Sequence, residues 1–348
     1  MKINKNEFLS ILQKVRPGIS NKEIIEFSDS ICFLPGKIIT FNDEICVEHP
    51  FDSQFQGTVK ADHFYRIVDK MATNAENEIE LEQTENEMVI KGGKAQSGVL
   101  YNAKGSLPLE EVFEGSIKFK PISDGLLEGI KLGQFCTSPD DSLPILQCVH
   151  IRKDTIQSSD SYRCFKYAMV PGGKEEFLLP KTCISVLMKY PVTKYCIQSN
   201  WAHFKTKEGI ILHVRIFQNQ EFPDISSFFD LKGIALTFPE KVLPAVERAA
   251  IFCSTQELIE ELLSVSIEEK KIVLSAQKKD VGWFKETIPQ MQKNKIKNAS
   301  NITFKINAEF FLDLLKTTTK CFFVEKNDQT LLGFKTEKWQ HVISVVKK

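Results

Sequence analysis

The chain repeats one order of elements three times, and this repeat restricts its possible folds more than any other feature. Each repeat begins with a short amphipathic helix and strands, and continues with a second amphipathic helix and further strands. Equivalent helices lie roughly 115 to 125 residues apart, which is the size of an ordinary domain and much longer than a solenoid unit. The 348 residues therefore predict three similar domains, with boundaries at 1–115, 116–231 and 232–348.

Six segments carry the apolar spacing of a helix with one buried face. They are 8–12, 64–68, 126–130, 184–188, 242–246 and 310–314. Asn4 can cap the first helix together with Glu7, three residues later. Pro244 falls inside the fifth segment, where a proline is expected to kink a helix.

The segments between the helices alternate apolar and polar residues, which is typical of strands with one buried face. The pattern predicts strands over 24–34 and 38–47, joined at a Pro35-Gly36 turn, and a strand over 116–120 that opens the second repeat. The basic stretch at 293–301 is expected to be a solvated loop. Each repeat should form an antiparallel sheet covered on one face by its two helices, so the predicted fold class is α+β.

Composition favours a soluble protein of the cytosol. The chain is 42% hydrophobic and 26% charged, and none of its apolar runs approaches the roughly 20 residues that cross a bilayer, so no membrane contact is expected. Its first twenty residues carry charges instead of the apolar core of a signal peptide. The nine cysteines stand singly among apolar neighbours, without a C-x-x-C pair, which predicts buried reduced thiols.

The charge balance gives no overall argument for a nucleic-acid partner, because 45 basic residues face 45 acidic ones. Basic side chains nevertheless recur on the predicted outward faces of all six helices. They are Lys14, Arg16, Arg66, Lys70, Lys131, Lys181, Lys189, Lys241, Arg248 and Lys316. Any one of them can be a merely solvated residue, but their recurrence on six equivalent helices favours a shared role.

Three segments resemble those of the bacterial DNA polymerase III beta subunits, the DNA sliding clamps. Residues 159–164 read SDSYRC where that family has TDGHRL, residues 222–224 keep its FPD, and residues 248–251 keep its RAAI. The resemblance spans essentially the whole chain and implies three clamp domains per subunit, with antiparallel sheets outside and two helices inside each domain. It implies a head-to-tail homodimer that closes a ring around double-stranded DNA, with the ten basic residues of the helices as contacts to the DNA phosphates. The implied protein partners are a DNA polymerase and a clamp loader, and no catalysis or cofactor is implied.

The same resemblance assigns two further sets of residues. A cleft for partner peptides would involve Ser159, Tyr162, Arg163, Cys164, Phe229, Val345 and Val346. The dimer interface would involve Val99, Ile251 and Phe252. This chain departs from the family at Ser161, at Tyr162 and in its final residues, which indicates a distant or phage-encoded member and leaves its peptide preference open. Tyr162 could also be a packed turn residue.

Two alternatives to a DNA-encircling clamp are open from the residues. An enzyme finds little support, because the sequence has no H-E-x-x-H, P-loop or G-x-S-x-G motif, and Asp140 and Asp141 have no third acid placed beside them. His203 and His213 are expected to lie in neighbouring strands and not to bind a metal. A clamp-like interaction or regulatory module that no longer encircles DNA would keep the fold but lose the basic residues.

Overall fold

The computed structural model describes residues 1–348 except 24, 54, 114, 170–174, 231, 254–260, 291–300, 327–328 and 348. The described helices are α1 Lys5–Val15, α2 Ala61–Lys70, α3 Leu126–Gln134, α4 Lys181–Leu187, α5 Val242–Ala250 and α6 Ala308–Leu315. Two 3₁₀ helices span Arg16–Gly18 and Ser226–Phe228. All six predicted helices are confirmed. The predicted loop at 293–301 lies outside the described residues except for its last position.

The strands, in chain order, fall into three groups along the sequence. The first group is β1 Lys2–Asn4, β2 Ser30–Leu34, β3 Lys37–Phe41, β4 Ile45–Pro50, β5 Gly57–Lys60, β6 Glu78–Gln83, β7 Glu87–Gly92 and β8 Ala95–Asn102. The second is β9 Lys120–Pro121, β10 Cys148–Ile151, β11 Thr155–Ser159, β12 Arg163–Ala168, β13 Phe177–Pro180, β14 Val192–Gln198, β15 Trp201–Thr206 and β16 Ile211–Arg215. The third is β17 Ile234–Thr237, β18 Leu263–Ile267, β19 Lys271–Lys278, β20 Gly282–Pro289, β21 Ile302–Ile306, β22 Lys320–Lys326, β23 Gln329–Lys335 and β24 Trp339–Lys347.

Contacts within the chain define two compact units. Unit 1 comprises residues 1–124 and 175–220, and unit 2 comprises residues 125–174 and 221–348. The predicted second domain therefore contributes residues to both units. The division into three domains stays a prediction.

Unit 1 is built on one antiparallel sheet of twelve strands in the order β1-β6-β7-β8-β5-β2-β3-β4-β16-β15-β14-β9. Helices α1 and α2 pack against each other. The rings of Phe8 and Phe33 each lie 5.9 Å from the ring of Phe64 at a steep angle, which is a favourable edge-to-face geometry for a buried aromatic core. Strands β4 and β16 pair directly, so segments far apart in sequence share one continuous sheet.

Unit 2 is also antiparallel. Strand β24 pairs with β12, β21 and β23. Strands β10 and β11 extend the sheet beyond β12, and β18, β19 and β20 extend it beyond β21. Helices α5 and α6 pack together over a core that includes Phe304 and Phe311. Helix α3 lies very close to β11 and β12. A Cβ atom at Gly129 would stand only 2.6 Å from Cδ1 of Ile156, which is too close for any side chain. Glycine at this position allows that close packing.

Local chemistry explains where α1 and α5 begin. The Asn4 side chain accepts hydrogen bonds from the backbone N–H groups of Asn6 at 3.0 Å and Glu7 at 3.3 Å, which confirms the predicted cap. Pro244 is the third residue of α5, so its missing N–H falls among the first-turn groups that have no partner within a helix. The reason for predicting a kink therefore does not hold at this position.

Three strand predictions need correction. The strand predicted over 24–34 begins only at Ser30, and the one predicted over 38–47 is two strands, β3 and β4. The side chain of Asn42 accepts from the N–H of Ile45 at 2.9 Å, and Asp43 has a φ of 77°, so these polar residues form a turn. Of the strand predicted over 116–120 only Lys120 belongs to a strand, because β9 pairs with β14 over two residues alone.

All nine cysteines are free thiols; eight of them are buried and Cys196 is half-buried. No helix among the described residues is long and apolar enough to span a membrane.

Candidate functional site

The ten predicted DNA-contact residues lie on helices or within two residues of a helix end. Eight are exposed, and Lys14 and Lys181 are half-buried. Six belong to unit 1 and four to unit 2. Within unit 1 the structure brings pairs of them together. Lys14 and Lys189 line one depression of about 280 Å³, and Arg16 and Arg66 line a groove of about 910 Å³.

Several of these basic side chains already have an acidic neighbour. The ion pairs are Lys14 with Glu208 at 3.1 Å, Arg66 with Asp62 at 3.5 Å, Lys70 with Asp69 at 2.9 Å and Arg248 with Glu286 at 2.8 Å. Exposed pairs of this kind contribute little stability, typically about 0 to 1 kcal/mol, so a phosphate can replace the acid. The sequence count therefore overstates the positive potential that these helices present to a ligand.

The predicted peptide site is built on the turn between β11 and β12. The Asp160 carboxylate accepts from the backbone N–H groups of Tyr162 at 3.0 Å and Arg163 at 2.7 Å, and from Nε of Arg163 at 2.7 Å. Both charged side chains are buried. Ser161 has a φ of 74°, a left-handed conformation that costs a serine more than a glycine. The ion pair thus fixes a turn whose tip is exposed.

Arg163 positions the turn and is not exposed for contact. It is 6% exposed, and its guanidinium stacks on the Phe310 ring with 3.5 Å between the Cζ atom and the ring centre. The Ser159 hydroxyl donates to the Arg163 carbonyl at 2.7 Å, and its oxygen lies 3.6 Å from Sγ of Cys164. Burial raises the pKa of the Cys164 thiol, so this cysteine behaves as a small apolar residue.

An apolar cluster, called here the cleft cluster, adjoins this turn in unit 2. Its buried members are Cys164, Ile225, Phe229, Val324, Leu331 and Val342. Phe222, Phe228 and Phe322 are only partly buried and pack against it. The turn connects to it directly, because the N–H of Ser344 on β24 donates to the Tyr162 carbonyl at 2.8 Å. The Tyr162 side chain is 51% exposed at this edge, so it is not a fully packed turn residue.

The structure changes which residues of β24 can border the cleft. Val342 lies in the cleft cluster, whereas Val345 is 6% exposed and belongs to the core under α5 and α6. Val346 is 38% exposed and, by alternation along the strand, shares the face of Val342. The resemblance assigned Val345 and Val346 to the cleft and did not include Val342. The alternation of β24 could have separated the two faces if the register had been known.

The three predicted interface residues differ in their exposure to solvent. Val99 is 8% exposed and packs in the core of unit 1, while its neighbour Leu100 is 78% exposed. In unit 2 Ile251 is 67% exposed and Trp283 71% exposed, and the half-buried Phe252 ring stacks on another phenylalanine. Leu100 and not Val99 is therefore the apolar residue that β8 presents to solvent.

His203 and His213 lie directly opposite each other on β15 and β16, as predicted, with 2.6 Å between their Nδ1 atoms. Nε2 of His213 lies 3.3 Å from Glu48, which also pairs with Lys37 at 3.1 Å. Burial lowers the pKa of both imidazoles, that of His203 to about 3, and Glu48 partly offsets the effect at His213. Among the described residues no group of three or more possible metal ligands occurs.

The antiparallel sheets, the six helices and their order define the architecture of a sliding clamp. Solved structures of DNA polymerase III beta subunits share it over their whole length. The beta chain from Streptococcus pneumoniae TIGR4 superposes with a TM-score of 0.82 at 18% identity, with 100% of this chain and 99% of that chain covered. The sliding clamp of Bacillus subtilis gives 0.79 at 17% identity, with 100% and 98% covered. The Helicobacter pylori beta clamp, solved bound to a DNA ligase peptide, gives 0.78 at 12% identity, with 100% and 99% covered.

The sequence matches no protein-family model and no curated protein. The chain nevertheless has the fold of the DNA polymerase III beta subunits, which confirms the fold implied by the resemblance.

Proposed function

We propose that this protein is a DNA sliding clamp, a processivity factor that encircles double-stranded DNA and tethers a replicative polymerase without catalysing a reaction itself. The observation that supports it best is the full-length likeness to sliding clamps at TM-scores of 0.78 to 0.82. Exposed lysines and arginines on helix faces suit such a role, because diffuse contacts to phosphates hold DNA without reading its bases. Several of these lysines and arginines already pair with an acidic side chain, which favours weak and exchangeable contacts to the phosphates.

A closed ring is retained on DNA only as long as the DNA has no free end, and this property distinguishes it from other DNA-binding proteins. The protein would be diluted below its dissociation constant and then reconcentrated with nicked circular plasmid, so that rings can close around it. We expect it to co-elute with the circle in gel filtration and to be released when a restriction enzyme linearises the plasmid. Retention that survives linearisation would indicate a groove-binding protein. Absence from the intact circle would favour the regulatory module.

Ring closure requires two subunits, and the structure offers two strand edges for a head-to-tail contact. Along Ala95–Asn102, β8 pairs with β5 only at its last two residues, and β20 is the end strand of its sheet. Leu100 on the first edge and Trp283 on the second are exposed apolar residues, and Ile251 at the end of α5 is exposed too. We propose that β8 of one subunit pairs with β20 of the other and buries these side chains, because unpaired edges with large apolar residues favour association.

A polymerase and a clamp loader are the proposed protein partners, and the cleft cluster is their proposed docking site. The likeness to a clamp solved with a DNA ligase peptide supports a peptide ligand. The partly buried rings of Phe222, Phe228 and Phe322 line an apolar surface that can receive one or two large apolar side chains.

Replacing Tyr162 with alanine is expected to weaken binding of a cognate polymerase peptide by about 1 to 3 kcal/mol, because the ring would form one wall of the anchor pocket. Titration calorimetry would measure the change. Phe135→Ala is the matched control, since Phe135 is a 53% exposed aromatic residue of the same unit outside the cleft cluster. Equal affinity of the Tyr162→Ala variant and the wild type would move the partner site elsewhere.

A further inference from the structure

Unit 2 contains a cavity of about 260 Å³ that lies on the face of β12 opposite the cleft cluster. Cys164 belongs to the cleft cluster and the next residue, Phe165, lines the cavity, because successive side chains of a strand point to opposite faces. The C-terminal ends of α3 and α6 complete the walls together with β24. The cavity is therefore separate from the proposed peptide site.

The walls of the cavity are mainly apolar and aromatic. The apolar lining residues are Leu132, Phe135, Phe165, Leu314 and Trp339. An apolar protein cavity of about 150 Å³ holds a benzene molecule, so this one has room for two fused rings. Such a concave apolar surface with a few polar groups is typical of a small-molecule site.

Four polar side chains line the same cavity: Asp313, Lys316, Thr317 and His341. His341 is 5% exposed, and its Nε2 atom has no hydrogen-bond partner within the described part of the chain. A buried nitrogen without a partner costs free energy, which a ligand can recover by bonding to it. Burial lowers the pKa of His341 to about 3, so the imidazole is neutral at pH 7. Asp313 is half-buried, and burial raises the pKa of its carboxyl group.

We propose that this cavity binds a small heteroaromatic molecule of two fused rings that carries both an N–H donor and a ring-nitrogen acceptor. The rings would pack between the aromatic walls, one nitrogen would bond to Nε2 of His341, and a polar group on the ring edge would face Asp313. Benzimidazole fits this description when its ring nitrogen accepts from Nε2–H of His341 and its N–H faces the Asp313 carboxylate. Lys316, one of the predicted DNA-contact residues, also lines the cavity, but the proposed ligand contacts do not involve it.

The test uses the full-length protein labelled with ¹⁵N and follows the indole N–H signals of its three tryptophans. Trp339 lines the cavity, Trp201 is buried in unit 1, and Trp283 is exposed in unit 2, so only the Trp339 signal should shift saturably with benzimidazole. Indene, the carbon isostere without nitrogen, should bind at least about tenfold more weakly, since it leaves His341 without a partner. An unmoved Trp339 signal, or equal affinity for the two probes, would overturn the proposal.

Variants assign the polar recognition to particular residues. His341→Phe should reduce the affinity for benzimidazole to that for indene. Asp313→Asn keeps the shape of the side chain and should weaken benzimidazole about fivefold to tenfold, because it removes the charge that favours a donor. Asp69→Asn, on α2 of unit 1, is the matched control and should change nothing. If His341→Phe does not fold, Asp313→Asn alone decides, and unchanged affinity in that variant contradicts the proposed recognition.

Discussion

Replacing Ile251 with aspartate is expected to convert the proposed dimer into folded monomers and to abolish retention on circular DNA. Ile251 is 67% exposed at the end of α5, so the substitution should leave the fold of the subunit intact. In a closed ring the same change would occur in both interfaces and would place a charge in each apolar contact. Burying an unpaired charge costs several kcal/mol, so the dissociation constant should rise at least about 100-fold.

Sedimentation velocity over a range of concentrations would measure the dissociation constant, and gel filtration with nicked plasmid would measure retention. Leu100→Asp should have the same effect from the other edge, since a head-to-tail contact needs both surfaces. Leu143→Asp is the control, because Leu143 is also an exposed apolar residue, at 40%, but lies in the segment between α3 and β10 and on neither β8 nor β20. A dimer of unchanged strength in both interface variants would contradict the proposed arrangement.

The sequence predicted the helices well because each has a clear apolar face and recognisable ends. Asn4 and Glu7 mark the start of α1 through local hydrogen bonds, which need no knowledge of the rest of the chain. The same holds for the turn at Pro35-Gly36, where Gly36 has a φ of 79°. Signals that arise within a few residues can be read from one sequence.

The candidate sites depended on strand register, which one sequence does not contain. Val99 and Leu100 are both apolar, and only the pairing of β8 decides that the first is buried and the second exposed. The same ambiguity separates Val345, in the core, from Val342, in the cleft cluster. A shift of one residue exchanges the two faces of a strand, so a list of site residues taken from sequence is least secure there.

Ion pairs and cavities could not be predicted from the sequence either. Arg248 and Glu286 are separated by 38 positions, and their contact follows from the packing of α5 on β20. The cavity lined by Asp313 and His341 joins the ends of two helices that belong to different predicted domains. Contacts between distant segments are products of the tertiary structure, and local patterns carry no signal for them.

The protein is expected to lose stability steeply between pH 7 and pH 5 because it buries neutral histidines. The pKa values of His203 and His341 are lowered to about 3, chiefly by burial, against about 6.5 in an unfolded chain. Below pH 6.5 the unfolded state binds protons that the folded state cannot, so the free energy of unfolding falls as pH falls. Each of the two histidines lowers the free energy of unfolding by roughly 1.4 kcal/mol per pH unit below pH 6.5. Together they should lower it by about 4 kcal/mol at pH 5.

Urea unfolding at pH 7.5, 6.5, 5.5 and 5.0 would measure this dependence as a change in the free energy of unfolding. His341→Gln should reduce its slope below pH 6.5 by up to about half, whatever the variant's stability at pH 7.5, because it removes one of the two histidines whose pKa is lowered to about 3. His63→Gln is the control, since His63 is exposed on α2 and should leave the slope unchanged. Burial also lowers the pKa of His213, but Glu48 opposes that effect, so its share should be smaller. A flat profile from pH 7 to pH 5 would mean that these histidines gain protons in the folded protein, and the buried arrangement of His203 and His341 would then be wrong.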